Sequence, residues 1–352
     1  MAKQHYHEHV IEQINALKDF EYMQQPFSVI NFGGGTPTAL APDQLEQILE
    51  SLHQNFNITP DAEISIESSL MELTDDMIEV LKRQKVNRLS LGVQSFNDRL
   101  RKVYHRRGTG AFAFEKIKQL KEAGFENVGI DLIYNGPGQT LEELDADLDK
   151  IIALELAGIS FYSLIIHETT PLGKCMTEQE RLQMQDLNAE YTQFNHILTR
   201  LAPHGYEVLE LTKLVRHQLD KYEYMRVRHS QGECLALGHG AGGNLNQYFY
   251  QSNFTKEALA ADVPIGQMGR VLHPEYQIID QFINDLQKQT VDLNAYSHYL
   301  KMDLEDKLAD SLAALVKEKL CHLEAGNLTL TTEGIFFGNN IISELVQKII
   351  QP

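Results

Sequence analysis

"VINFGGGTPTALAPDQLEQIL", residues 29–49, sets a β-branched run, three consecutive glycines and an amphipathic segment side by side. "FSVINF" (27–32) is β-branched and aromatic and reads as a strand. Leu45, Ile48, Leu49, Leu52 and Phe56 recur at the spacing of one helix face, and Pro42 suits the first turn of that helix. Between strand and helix lie Gly33, Gly34 and Gly35, followed by Thr36. Glycine adds backbone freedom and contributes no packing. Three together predict a loop whose backbone something must approach closely.

Working outward, the same unit recurs. "EISIE" (63–67) alternates as a strand, and Thr74 can cap a helix carrying Met77, Ile78 and Leu81. "RLSLGVQ" (88–94) is a strand; the helix after it carries Phe114, Ile117 and Leu120 and stops at Gly124. "NVGIDLIY" (127–134) is a strand, and Thr140 with Glu143 forms a capping-box pair for a helix with Leu144, Leu148 and Ile151. "GISFYSLII" (158–166) is the fifth strand. Strands alternating with helices every roughly 30 residues are right-handed βαβ units, which build an open doubly wound sheet or a β/α barrel. In both, chemistry sits at the carboxyl ends of the strands. Here those ends supply Gly33–Thr36, Glu67, Gln94, Asp131 with Tyr134, and His167. Any one of these could be an ordinary cap or loop residue, but a polar residue at the same end of every strand is what a ligand site needs.

Composition narrows the classes. The 352 residues, 43% hydrophobic, can fill a large domain with a smaller companion. A net charge of −18 argues against nucleic-acid backbones and anionic membrane surfaces as partners. No apolar run reaches the ~18 residues of a membrane span, and the polar "MAKQHYHEHV" lacks a signal-peptide core. Cys175, Cys234 and Cys321 are scattered and odd in number, as expected of reduced cytoplasmic thiols, and Cys234 and Cys321 read as core residues. His5, His7 and His9 read as exposed helix residues rather than a metal set. "GHGAGG" (238–243) fits G-x-G-x-x-G, but the Asn- and Tyr-rich segment after it is a poor helix start, against a dinucleotide site. The glycines at 33–35 lack the Lys-Ser/Thr of a P-loop.

Read in order, "FGGGTPTAL", "ISIESS", "LSLGVQSF", "HRR", "GIDLIYNGPGQT" and "TPL" resemble the coproporphyrinogen-dehydrogenase-like branch of the radical S-adenosylmethionine enzymes over residues 29–173. "LTLTTEGIFFGNNII" (328–342) resembles that branch's C-terminal region. "RRGTGAFAF" (106–114) and "GAGGNLNQYFYQSN" (240–253) look most like its haem-utilisation members, which open the haem macrocycle anaerobically and release iron. The resemblance implies a partial (β/α)6-type barrel over residues 1–172, lacking its first strand, and a mostly helical accessory domain over 173–352. It implies S-adenosylmethionine as cofactor, held by Gly33, Gly34, Gly35 and Thr36 at its amino group, by Glu67 and Gln94 at the ribose and methionyl part, by Arg106 at the carboxylate and by Asp131 at the ribose. Arg107 competes with Arg106 for that place.

It further implies a 4Fe–4S cluster on C-x3-C-x2-C, haem or a related tetrapyrrole as substrate, and an electron donor such as a flavodoxin or ferredoxin. Thiolates are what such clusters require, and this chain has no such triplet. The expectation is therefore a protein whose cluster loop and first strand lie outside this chain, or a cluster-less homologue. The survival of the other cofactor positions favours the first. Tyr134, Tyr162, His167, His229, His239, Arg226 and Arg228 are candidates for the substrate, each histidine having an ordinary structural role as its alternative. Coproporphyrinogen dehydrogenation and haem carriage remain alternatives to ring opening.

Overall fold

The computed structural model describes residues 5–246, 248–252 and 267–351. After helix α1 (Tyr6–Leu17), strands β1 (Phe27–Phe32), β2 (Ile58–Ser68), β3 (Arg88–Gln94), β4 (Asn127–Tyr134) and β5 (Gly158–Ser163) lie side by side and parallel. Between them run α2 (Pro42–Asn55), α3 (Asp75–Arg83), α4 (Asp98–Val103), α5 (Gly110–Glu122) and α6 (Leu141–Leu154). The sheet curls into a half-barrel, the α/β class expected from the sequence, with β1 at one edge. Among the described residues β1 pairs with β2 alone.

Local chemistry explains the elements. Pro42 opens α2, where Gln44 Oε1 accepts the Ala41 N–H; Leu45, Ile48, Leu49 and Leu52 are buried. The Thr74 hydroxyl accepts from the Met77 N–H at 3.2 Å, and Thr140 and Glu143 form a reciprocal capping box. Gly124 ends the turn after α5 at φ +99°, a conformation that costs a side chain. Each buried leucine on these faces contributes roughly 1.5–3 kcal/mol.

The period of two splits the sheet's faces. Ile64, Ile66, Leu89, Leu91, Val128, Ile130, Leu132, Ile159 and Phe161 belong to the apolar core shared with the helices. The opposite face is polar or small. Pairing aligns Asn31, Ser65, Arg88 and Asn127 in one row, and Glu67, Ser90, Gly129 and Gly158 in the next. Gly92, Asp131, Ser160 and Lys213 follow. This is the concave face, and it carries the site.

Three sequence expectations need correction, those for the fifth strand, His7 and Cys234, and the chain after β5 adds elements of its own. "YEVLELTKLV" is a hairpin, β6 (Tyr206–Glu210) and β7 (Lys213–Arg216), that extends the barrel sheet antiparallel to β5. The fifth strand stops at Ser163, short of 166. After β5, one helix spans Glu178–Met184, and Asp186 caps the next, Leu187–Leu201, by accepting the Asn188 and Ala189 N–H groups. His7 is buried on the inner face of α1, whereas His5 and His9 face outward toward Glu8 and Glu12. Cys321 is in the core as expected, but Cys234 is only half-buried.

Beyond the hairpin the chain is mainly helical, with helices at Glu223–His229, Pro274–Gln287, Leu293–Leu300, Ala309–Lys317 and Gly338–Ile350. Two small antiparallel sheets accompany them. "GAGG" leads into a hairpin, Gly242–Leu245 with Tyr248–Ser252, and not into a helix. Gln247 and Asn253 of the quoted "GAGGNLNQYFYQSN" lie outside the described residues. No helix among the described residues is long and apolar enough to cross a membrane.

Candidate functional site

The cleft lies at the carboxyl ends of β1 to β5. After Phe32 the backbone runs bare: nothing lies within 4 Å of where a Cβ would stand on Gly34 or Gly35. Gly34 has φ +94°, which an L side chain adopts only with strain. At Gly33 a Cβ would stand 3.0 Å from Glu67 Oε1 and 3.2 Å from Asn31 Nδ2. The Glu67 carboxylate accepts the Gly34 N–H. Its pKa is raised, first by desolvation and then by the neighbouring Asp131 charge, which the Gly34 bond only partly offsets.

Asp131 sits beside Gly92 in the β3–β4 register. Its pKa is also raised by burial, against the opposing fields of Lys213, Arg106 and Arg88. Gln94 closes β3 with φ +70° at a break in the ladder. The Arg106 guanidinium reaches back over this strand end: a Cβ on Gly92 would stand 3.3 Å from Gln94 Nε2 and 3.5 Å from Arg106 Nη2. Burial pulls the Arg106 pKa down, and Asp131 opposes the shift. Arg107 points away and pairs with Glu72. The two neighbouring arginines are thereby distinguished. Tyr162, at the end of β5, is 46% exposed and lies in the field of Asp131 and Glu67. One end of the sheet thus gathers uncovered glycine backbone, two carboxylates, a carboxamide and a guanidinium. This set can hold an ammonium, hydroxyls and a carboxylate at once.

Residues 2–151 match the radical SAM superfamily model. Over 95% of its length the chain is 29% identical to the haem chaperone HemW of Lactococcus lactis, spanning 88% of that protein. It is 27% identical to the anaerobilin synthase of Escherichia coli O157:H7 over 99% of this chain and 79% of the relative. The solved coproporphyrinogen III oxidase HemN of Escherichia coli superposes with a TM-score of 0.80, covering 98% of this chain and 84% of that one at 21% identity. The chain carries a radical SAM domain. The relatives it matches are coproporphyrinogen-oxidase-like and haem-related proteins, and it shares the HemN fold.

The superfamily implies S-adenosylmethionine and a 4Fe–4S cluster. The cleft of the radical SAM domain fits the first, with bare glycine backbone beside ionisable groups of both signs. The residues present do not fit the second. Cys175 is exposed, Cys234 half-buried and Cys321 in the core, and no three metal-ligating side chains gather among the described residues.

The other sequence candidates are dispersed. Tyr134 is buried on the apolar face of β4, packed against Phe161 and Phe194, because alternation turns it away from Asp131. His167 is exposed in the loop after β5, where its carbonyl accepts the Thr170 N–H and hydroxyl. His239 stacks on Tyr6, whose hydroxyl accepts the His239 N–H. His229 is buried with Nδ1 3.1 Å from Glu210. Arg228 donates to Asn244, and Arg226 pairs with Glu223.

Sequence reasoning missed Asp147, which lies within the apolar stripe Leu144, Leu148, Ile151 of α6, and that placement was a usable signal. Fully buried, it accepts from the Ser95 hydroxyl at 2.6 Å and the Phe96 N–H at 2.9 Å, fixing the loop after Gln94. Burial pushes its pKa up to about 6. The native state therefore holds this proton more tightly than the unfolded chain does. The associated stability is present below the ordinary aspartate range and is lost as pH rises through about 6. Between those limits the wild-type protein is expected to lose about 3 kcal/mol relative to Asp147→Asn. Parallel urea denaturation at each pH measures the difference; a pH-independent gap would contradict it.

Proposed function

We propose that the cleft binds S-adenosylmethionine and that the protein is a tetrapyrrole-directed radical SAM enzyme whose reaction is anaerobic opening of haem with release of iron. One observation carries the cofactor reading: the Arg106 guanidinium makes no hydrogen bond or ion pair among the described residues while it faces Asp131 at the same strand ends as the bare glycine loop. In this reading Gly33–Thr36 and Glu67 receive the amino group, Arg106 the carboxylate, Gln94 the methionyl part and Asp131 the ribose. Bound there, S-adenosylmethionine supplies one-electron carbon chemistry to a substrate lying over the strand ends. Tyr162, open to the cleft, is better placed than Tyr134 to meet that substrate. Substrate choice falls to residues 173–352, and the work is done in the cytoplasm with a flavodoxin- or ferredoxin-type donor.

The raised carboxylates supply a test. A cationic sulfonium favours the ionised forms of Glu67 and Asp131. Calorimetric titration is expected to show S-adenosylmethionine bound more tightly than S-adenosylhomocysteine, the thioether analogue that lacks the sulfonium charge, with the preference fading as pH falls and the carboxylates protonate. Equal affinity for the two at every pH would remove the reading.

Ring opening is supported by the 27% identity to anaerobilin synthase along 99% of the chain. Haem carriage is the second reading, supported by the comparable likeness to HemW. Alone, this chain is expected to retain no stoichiometric iron and sulfide after anaerobic reconstitution, and to form no 5′-deoxyadenosine under dithionite. The deciding assay gives haem and, separately, coproporphyrinogen III to a form supplied with a C-x3-C-x2-C segment ahead of α1. Loss of the Soret band with iron release supports ring opening. A vinyl-bearing porphyrinogen product places the protein with the dehydrogenases, and haem bound without turnover makes it a carrier.

A further inference from the structure

We propose that Arg101 is the positioning residue of the cofactor cleft, holding Gln94 and Arg106 in register without touching the ligand. Arg101 lies on the short helix α4 and is 3% exposed. Its guanidinium donates four hydrogen bonds, and every acceptor is a backbone carbonyl. Nη1 reaches Val93 and Ser95, both at 3.0 Å, the two residues that flank Gln94. Nη2 reaches Arg107 at 2.7 Å and Nε reaches Gly108 at 3.0 Å, the two residues that follow Arg106. Arg101's own carbonyl accepts the Arg106 N–H at 2.8 Å. One side chain therefore ties the end of β3 to the loop that delivers the free guanidinium.

The local backbone explains the need. Gln94 has φ +70° at a break in the β3–β4 ladder, and Gly108 has φ +75°. Regular secondary structure ends at Gln94, the last residue of β3, and Gly108 lies in the loop before α5. Buried carbonyls left without donors would cost about 1–3 kcal/mol each. The planar fork of arginine satisfies several at fixed angles, which a lysine ammonium on a flexible stem does not. Among the described residues no carboxylate pairs directly with Arg101; Asp98 and Asp147 supply the nearby negative charge. Both carboxylates bind the same knot. Asp98 accepts the Gly110 N–H at 2.6 Å, and Asp147 holds Ser95 and Phe96. The strands of this knot cross so closely that a Cβ on Gly110 would stand 1.6 Å from the Phe96 carbonyl oxygen. The geometry of Gln94 and Arg106 is thus set as a unit, with Arg101 at its centre.

The inference rests on the proposed S-adenosylmethionine site, and the test separates the two. Calorimetric titrations compare S-adenosylmethionine with 5′-methylthioadenosine, which lacks the amino and carboxylate groups. Arg101→Met is expected to weaken S-adenosylmethionine by roughly 30-fold and 5′-methylthioadenosine by only a few-fold. Arg101→Lys gives the same comparison should the methionine variant not fold. In an Arg106→Ala background, Arg101→Lys is expected to cost less than it does in the wild type, because one of the two groups it positions is gone. Failure of the wild-type protein to bind S-adenosylmethionine would overturn the site itself. Wild-type binding that survives Arg101→Lys, a parallel loss of both ligands, or effects additive with Arg106→Ala would overturn the positioning role.

Discussion

Gly34→Val is expected to weaken S-adenosylmethionine binding by about 100-fold or more while the protein still folds. Nothing of the protein stands within 4 Å of the added Cβ, so the branched side chain meets no wall and instead occupies the cleft. The same residue donates its N–H to Glu67, one of the two carboxylates whose pKa values are raised. At φ +94° a valine adds roughly 1–2 kcal/mol of strain, a loss the folded state can absorb. Two companion variants separate the causes. Gly35→Ala also adds a Cβ in open space but at a φ outside the left-handed range, so its thermal midpoint should stay near wild type. Gly33→Ala puts its methyl 3.0 Å from Glu67 Oε1 and should displace that carboxylate instead. Calorimetric titration with circular dichroism as the fold control checks the series; normal affinity in Gly34→Val would place the cofactor elsewhere.

Asp220→Ala is expected to cost about 3–5 kcal/mol of stability. Asp220 is 1% exposed at the floor of the half-barrel. Its Oδ1 accepts from Arg88 Nε at 2.8 Å and its Oδ2 from Arg88 Nη2 at 3.0 Å and Lys213 Nζ at 2.9 Å. Arg88 also stacks over the Tyr222 ring at 4.5 Å. Gly158 makes the room, since a Cβ there would stand 2.7 Å from Asp220 Oδ2. Burial by itself would raise the Asp220 pKa, but Lys213 and Arg88 outweigh it and hold the carboxyl far below its usual range. The stabilisation is therefore complete above the ordinary aspartate range and is lost only as strong acid protonates the group. Removing the carboxylate leaves two buried cations facing each other. Urea denaturation of Asp220→Ala measures the cost. A loss under about 1 kcal/mol, the worth of an exposed pair, would show that water reaches the cluster.

Local physics made much of the half-barrel legible. Strands β1, β3 and β4 occupy the residues that β-branching and alternation marked, and Thr74, Thr140 and Gly124 end or begin helices as their side chains dictate. β2 extends back to Ile58, which pairs with Phe27 across a register shift that its own alternation does not announce. The hairpin β6–β7 and its docking against β5 were not read from the sequence. A strand's partner is chosen by the edge left open elsewhere in the fold, not by its own residues. The same holds for His7 and Tyr134, whose types suit a site but whose register turns them into packed layers.

The sequence by itself determined the strand–helix repeat, the polar residues at the strand ends, the glycine triplet and the lack of a cysteine triplet in this chain. These are properties of residue type and spacing, and period-two or period-3.6 geometry carries them directly into the fold. Only the tertiary structure decided which of Arg106 and Arg107 enters the cleft. Adjacent residues with identical side chains are indistinguishable until Glu72 captures one and Arg101 orders the backbone around the other. Only the tertiary structure brought Lys213 and Asp220 beneath Arg88, and raised the pKa values of Glu67, Asp131 and Asp147. Desolvation and charge pairing depend on what surrounds a group in space, and residues far apart in the chain supply those surroundings.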